Sequence, residues 1–185
     1  MPPTTSAPPF DLSLGLEDTH VLITGGNGYL GRAVAAAFLA ANARVTIVDL
    51  PSVPKVFPSS PSDPATQRLN FHPADISSPA AVDAAFTGAE ARFGPVACCV
   101  ALAGLDLSVL PQTASLADAE PDDWRRVWDV NVHGTFVTCR RWLRGVRATV
   151  ERGEELRNVS VVIVGSVSGR FGEECMAAYA AGKVS

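Results

Sequence analysis

The sequence predicts an α/β domain: a doubly wound parallel sheet with helices on both faces, three layers in all, and strand order 3-2-1-4-5. Three observations carry this. Short apolar runs of strand length alternate with helical stretches along most of the chain, which is the pattern of a parallel sheet with crossover helices. The runs at 96–102 and 159–164 are almost wholly apolar, as strands covered on both faces are. The first run opens into a Gly-rich segment and then directly into an Ala-rich helix. Right-handed crossovers then fix the doubly wound order.

Residues 1–16 are rich in Pro, Ser and Thr and read as a flexible lead-in, with the folded domain over 17–185. A first strand is expected at 20–24, a helix at about 28–41 and a second strand at 44–48. The stretch 51–67 holds five prolines and several serines and reads as a long loop. A weak third strand follows at 69–72. Pro79 opens a helix over 79–93, where its missing N–H costs nothing. After the fourth strand at 96–102, a long helix runs over about 122–152 and begins with acidic residues at its positive end. The fifth strand at 159–164 is followed by a last helix over 175–183.

Composition narrows the function. Of the 185 residues 47% are hydrophobic and 18% charged, the balance of an ordinary globular domain. The net charge of -4, with no Lys/Arg cluster, argues against nucleic acid as a partner. Arg125-Arg126 and Arg140-Arg141 read as solvated helix faces. No run reaches transmembrane length, so no membrane partner is expected. The N-terminus lacks the basic and apolar regions of a secretory signal. Cys98, Cys99, Cys139 and Cys175 show no metal-ligand spacing, so no metal is expected. Cys98 and Cys99 point to opposite faces of a strand and read as free buried thiols in a reducing compartment, which predicts a cytoplasmic location. The glycosylation triplet Asn158-Val159-Ser160 opens a strand and reads as chance.

The first strand runs into Thr24-Gly25-Gly26-Asn27-Gly28-Tyr29-Leu30-Gly31. Gly25 allows a tight turn, Gly28 lets the backbone approach a pyrophosphate, and Gly31 permits close packing of helix on strand. The helix N-terminus adds amide donors and a positive dipole end. With a strand before and a helix after, the segment reads as the dinucleotide loop of a Rossmann fold. Asp49 closes the second strand, where a carboxylate can accept from the adenosine ribose hydroxyls and repel a 2'-phosphate. NAD is therefore favoured over NADP. Lys55 lies too far along the loop to outweigh it.

The second half narrows the reading. Asn131-Val132-His133-Gly134 lies in the long helix, Ser166-Val167-Ser168-Gly169 follows the fifth strand, and Tyr179-Ala180-Ala181-Gly182-Lys183 lies in the last helix. Singly, these residues read as a helix kink, a turn, packing and surface charge. In this order and context the chain resembles the short-chain dehydrogenase/reductase family, in its common branch, over residues 16–185. The 13-residue spacing from Ser166 to Tyr179 agrees with that family and selects Ser166 over Ser168. The resemblance implies an oxidoreductase that moves a hydride between a nicotinamide cofactor and a small-molecule alcohol or carbonyl. It implies that Tyr179 exchanges the proton, that Lys183 lowers the phenol pKa and holds the nicotinamide ribose, that Ser166 binds the substrate oxygen and that Asn131 steadies a water. Tyr179 and Lys183, four apart, share one helix face. A free phenol, with a pKa of about 10, needs such a neighbour to work near neutral pH. The resemblance further implies cofactor contacts from Thr24, Gly25, Asn27, Gly28, Tyr29, Leu30, Asp49, Asp75, Ile76, Ala103, Gly104, Tyr179 and Lys183. Asp75 and Ile76 stand at the adenine pair. It also implies a homo-dimer or homo-tetramer through the long helix and the one after it.

Two features depart from the family pattern. Ala101-Leu102-Ala103-Gly104 stands in the slot of its Asn-Asn-Ala-Gly element and lacks the two amide side chains. Tyr29 gives the glycines a Gly-x-x-Gly-x-x-Gly spacing, more usual in the extended branch of epimerases and dehydratases. A complete family member continues well past the Lys, so the chain is expected to be truncated there, its C-terminal strands and lid missing. An exposed valine edge at 158–165, a fraying last helix and impaired turnover are then expected. The alternative is a non-catalytic NAD(P)-binding or regulatory Rossmann module. Phe171 and the residues on to Met176 are expected to border the substrate, where Glu173 and Glu174 could meet a polar group, although an acidic start to the last helix is the favoured reading of them.

Overall fold

The five strands are β1 (His20–Thr24), β2 (Arg44–Asp49), β3 (Leu69–Pro73), β4 (Cys98–Ala101) and β5 (Ser160–Ile163). They form one all-parallel sheet ordered β3-β2-β1-β4-β5. The computed structural model describes residues 14–51, 64–106, 109–113 and 115–184. Most of the expected lead-in, as well as Lys55 in the Pro-rich stretch, lies outside the described residues. At the end of that stretch, where a plain loop was expected, Pro64–Gln67 forms one helical turn, α2.

Strand alternation divides the core in two. Val21, Ile23, Val45, Ile47, Cys98 and Val100 face one side, where Ala35 and Leu39 of α1 (Tyr29–Ala40) cover them. Leu22, Val48 and Cys99 face the other. There they meet Phe86 of α3 (Pro79–Phe93) and Trp142 of α5 (Thr135–Glu151). Cys98 and Cys99 thus lie on opposite faces, both as free thiols, and burial pushes each thiol pKa up. Helix α3 starts as its sequence asks: Ser78 Oγ accepts from the Ala81 amide at 3.4 Å, and Pro79 takes the first position.

The long helix is not continuous. An α-helical stretch, α4 (Pro121–Val127), gives way to a wider π-type segment at Trp128–Gly134 before α5 resumes. After β5, a single turn α6 (Ser168–Phe171) leads to α7 (Ala177–Gly182). This last helix begins later than expected, because Cys175 is left-handed (φ 64°) and Met176 (φ -144°, ψ 44°) lies outside the helical region. Strand β5 pairs with β4 alone among the described residues, and Val161, Val162 and Ile163 are all exposed, as the valine-edge expectation holds.

Candidate dinucleotide and catalytic site

The strands end level with one another, since Thr24 pairs with Val48 on one side and Ala101 on the other. Beyond these carboxyl ends opens a cleft of about 880 Å³, at the position where open α/β sheets bind ligands. Of the expected cofactor residues, Gly25, Gly28, Tyr29, Leu30, Asp49, Asp75, Ile76, Ala103 and Gly104 line it.

The loop under the cleft is built on close backbone approaches. Gly25 has φ 70°, and a Cβ there would come 2.8 Å from the Ala103 Cα. A side chain at Gly31 would collide with the Gly25 carbonyl oxygen. Alanine is therefore excluded at both, and α1 can start hard against the strand end. Gly28 caps α1 with no side-chain hydrogen bond, so the first-turn amides are left for another acceptor. Thr24 sits behind the lining: its hydroxyl accepts from the Leu102 and Ala103 amides, each at 3.2 Å, and ties β1 to the loop after β4.

Asp49 accepts from the Asn27 amide at 2.9 Å and from the Leu50 amide at 2.8 Å, one bond to each carboxylate oxygen. These bonds hold it at the cleft wall with a lone-pair site still open on each oxygen. Asn27 is 1% exposed, and neither its Oδ1 nor its Nδ2 has a partner among the described residues. Asp75 is exposed and accepts from the Ser77 amide and hydroxyl, while Ile76 is buried beside it. The uncapped amides at the start of α1 and the open-handed Asp49 carboxylate at the end of β2 form a donor and acceptor set that fits a pyrophosphate and ribose, while the Asn27 side chain lies buried beneath the lining.

None of the second group of expected residues lines this cleft, but Gly104 of its lining adjoins two of them, Asn131 and Lys183. A Cβ on Gly104 would lie 3.1 Å from Asn131 Oδ1 and 3.7 Å from Lys183 Nζ. A side chain there would press on the Asn131 amide oxygen and make an ordinary contact with Lys183. Lys183 Nζ donates to the Val164 carbonyl at 3.0 Å and sits 5.9 Å from the Tyr179 ring centroid. Burial lowers its pKa from the ordinary ammonium value. Asn131 is buried in the π-type segment, and its side chain grips Leu105 both ways: Oδ1 accepts from the amide at 2.7 Å and Nδ2 donates to the carbonyl at 3.0 Å. Its amide therefore latches the loop after β4 onto the helix. Ser166 is half-buried, and its Oγ accepts from the Ser168 amide at 3.2 Å.

A profile described as short chain dehydrogenase matches residues 19–185. The chain belongs to this family. It is 31% identical over 172 residues to 2-(S)-hydroxypropyl-CoM dehydrogenase 3 of Xanthobacter autotrophicus, covering 93% of this chain and 63% of that protein. It is 32% identical over 171 residues to 3-hydroxyacyl-CoA dehydrogenase type-2 of Bos taurus, covering 88% of this chain and 61% of the relative. The crystal structure of a 3-ketoacyl-(acyl-carrier-protein) reductase from Brucella melitensis, complexed with NADH, superposes with a TM-score of 0.73 at 27% identity. That match covers 91% of this chain and 66% of the other. The chain thus spans less than two thirds of the length of each of these relatives.

Several residues that line the cleft were not expected there from the sequence. Arg125, Arg126 and Asp129 border the cleft. Helical periodicity gave the two arginines only a solvated face, and nothing local announces that the face overhangs the strand ends. Arg141, also read as solvated, has its side chain 16% exposed and bridges Asp83 at 2.7 Å and Glu90 at 2.8 Å. A second depression of about 530 Å³ surrounds those ion pairs. It includes Pro95, which precedes β4, and so lies at the opposite end of the sheet from the cleft.

Proposed function

We propose that this chain forms the cofactor and proton-transfer part of an NAD-dependent dehydrogenase or reductase for a small alcohol or carbonyl substrate. The observation that carries the reading is the half-buried Lys183, held by Val164 beside Tyr179 and adjoining the Gly104 end of the cleft. The nicotinamide cofactor, when bound, supplies the hydride acceptor or donor. Everything else falls to the protein. The first-turn amides of α1 and Asn27 would hold the pyrophosphate region, and Asp49 would accept from the adenosine ribose hydroxyls and disfavour a 2'-phosphate. Asp75 and Ile76 would border the adenine. Lys183 has two donors left after Val164, enough to hold a ribose hydroxyl. Beside it, Tyr179 would take a proton from an alcohol oxygen or, in the reverse direction, give one to a carbonyl oxygen. Ser166 would hydrogen-bond the same substrate oxygen. Asn131, through its hold on Leu105, would keep the wall of the cleft in register, with a water steadied nearby.

The test is cofactor binding by calorimetry on the full chain, with Asp49→Ala beside it. NAD should bind at micromolar level and NADP at least tenfold more weakly, and the variant should narrow that gap. Equal binding of both cofactors by the unaltered chain would refute the Asp49 assignment. NAD binding without oxidation of any alcohol or reduction of any carbonyl would favour a non-catalytic module.

A further inference from the structure

The turn after β5 contains a side-chain arrangement that the proton-transfer scheme does not use. Ser168 is 6% exposed, in a stretch whose neighbours are exposed or half-buried. Its hydroxyl donates to Glu173 Oε2 at 2.9 Å, and its backbone amide donates to Ser166 Oγ at 3.2 Å. Gly172, with φ 77°, turns the chain so that Glu173 comes back over Ser168. The Glu173 carbonyl also accepts the Met176 amide at 3.3 Å, and the Met176 carbonyl accepts the Ala180 amide at 3.0 Å, inside the helix that carries Tyr179. One acid therefore reaches the Ser166 turn through its side chain and the Tyr179 helix through its backbone.

An acidic helix start does not account for Glu173, because α7 begins only at Ala177. The hydrogen-bond chemistry does. A serine hydroxyl has one donor and two acceptor sites. The Ser168 amide occupies an acceptor site of Ser166 and leaves its proton free to point at a substrate oxygen. The Ser168 amide can stay there only if Ser168 itself is held, and the Glu173 carboxylate holds it.

We propose that Glu173 and Ser168 are positioning residues that set Ser166 as a hydrogen-bond donor and fix its distance from Tyr179. The proposal rests on the dehydrogenase reading above. It assigns neither residue a contact with substrate or cofactor. Loss of the clasp lets Ser166 rotate and the turn shift relative to α7, and displacements on that scale cost a bound substrate its alignment.

The experiment compares Glu173→Ala, Glu173→Gln, Ser168→Ala and the double alanine variant with the unaltered full chain. Turnover is followed as NADH formation from a secondary-alcohol series, alongside NAD affinity by calorimetry and thermal midpoint. Glu173→Ala and Ser168→Ala should each lower kcat about ten- to a hundredfold. NAD affinity and the thermal midpoint should hold. The double variant should be no worse than the poorer single one, since both changes break one unit. Glu173→Gln keeps an acceptor oxygen and should restore most of kcat. A kcat for Glu173→Ala equal to that of the active unaltered chain would overturn the proposal and leave the dehydrogenase reading intact. So would a loss explained wholly by a fallen thermal midpoint, the mark of a merely structural clasp. An unaltered chain that binds NAD but oxidises no alcohol and reduces no ketone would overturn both. Amide exchange at Ser168 gives a readout without turnover: faster in Glu173→Ala and restored in Glu173→Gln if the clasp exists, unchanged in both if it does not.

Discussion

His20 is a buried ring with both nitrogens engaged, and its surroundings choose its charge. Nδ1 lies 2.7 Å from the Gly94 carbonyl, which can only accept, so that nitrogen carries the hydrogen. Nε2 lies 2.9 Å from Thr46 Oγ1 and, in the neutral ring, accepts the hydroxyl proton. Burial is the largest influence and lowers the ring's pKa, outweighing the Gly94 carbonyl and the Glu90 charge, which favour the charged form. The unfolded chain titrates this histidine at its ordinary value of about 6.5. Between the lowered folded value and that one, the unfolded state binds more protons, so stability falls as pH drops below about 6.5. Urea unfolding midpoints should decline between pH of about 7.5 and 5.5, and His20→Gln should flatten that decline. An equally steep decline in the variant would remove His20 from the account. Similar local logic governs Asn158, whose amide donates to the Gly15 carbonyl at 2.6 Å and to Thr19 Oγ1 at 3.1 Å. That amide ties the start of β5 to the segment before β1.

Helix α3 shows how an element is secured once its apolar face is set. Phe86 is 1% exposed against the sheet, with the Arg141 guanidinium 5.1 Å above its ring, and Arg141 in turn ties α3 to α5 through Asp83 and Glu90. Phe86→Ala should cost about 3–5 kcal/mol in urea unfolding, through lost burial and the cavity left behind, while NAD affinity of the folded fraction stays unchanged. A cost under about 1 kcal/mol would mean that the site collapses freely and the core there is not tightly packed. Elements of this kind were legible in the sequence: β1 runs over His20–Thr24 as its apolar run indicates, and α3 over Pro79–Phe93 as Pro79 at its start indicates. The Gly-rich loop was legible too, because its strand-turn-helix context is local and Gly31 answers to Gly25 within it, although Gly25 itself answers to Ala103. What escaped depends on residues far apart in the chain. The π-type segment keeps an ordinary helical pattern of residues, and the grip of Asn131 on Leu105 spans 26 positions. The late start of α7 comes from the left-handed backbone at Cys175, a residue with no local preference for that conformation. Glu173 looked like a helix-opening acid for the same reason: its partner is set by a fold in the turn, and no periodicity reports it.

At the scale of the whole molecule, the outer face of α5 is the surface still in need of a partner. Phe136, Leu143 and Val150 are 61%, 57% and 60% exposed, and they recur every seven residues, so they form one apolar stripe down the helix. Among the described residues no element packs over it. Singly exposed apolar side chains need no explanation, but an aligned stripe on the longest helix does. Fully burying side chains of this size is worth about 1.5–3 kcal/mol each. A two-fold arrangement uses the same stripe on both copies, so a pair of chains gains that amount several times over before the cost of association. The long helix was also where the family resemblance put subunit pairing. We propose a homo-oligomer joined through α5, tested by sedimentation of the full chain and of Leu143→Glu. The unaltered chain should sediment as a dimer or larger, and the variant, which sets a carboxylate in the middle of the stripe, as a monomer with its circular dichroism and NAD affinity unchanged. The exposed strand β5 offers the competing surface, since Val161, Val162 and Ile163 could also draw copies together. Val162→Lys separates the two: if it dissolves the oligomer and Leu143→Glu does not, association runs through the sheet edge and the α5 assignment fails.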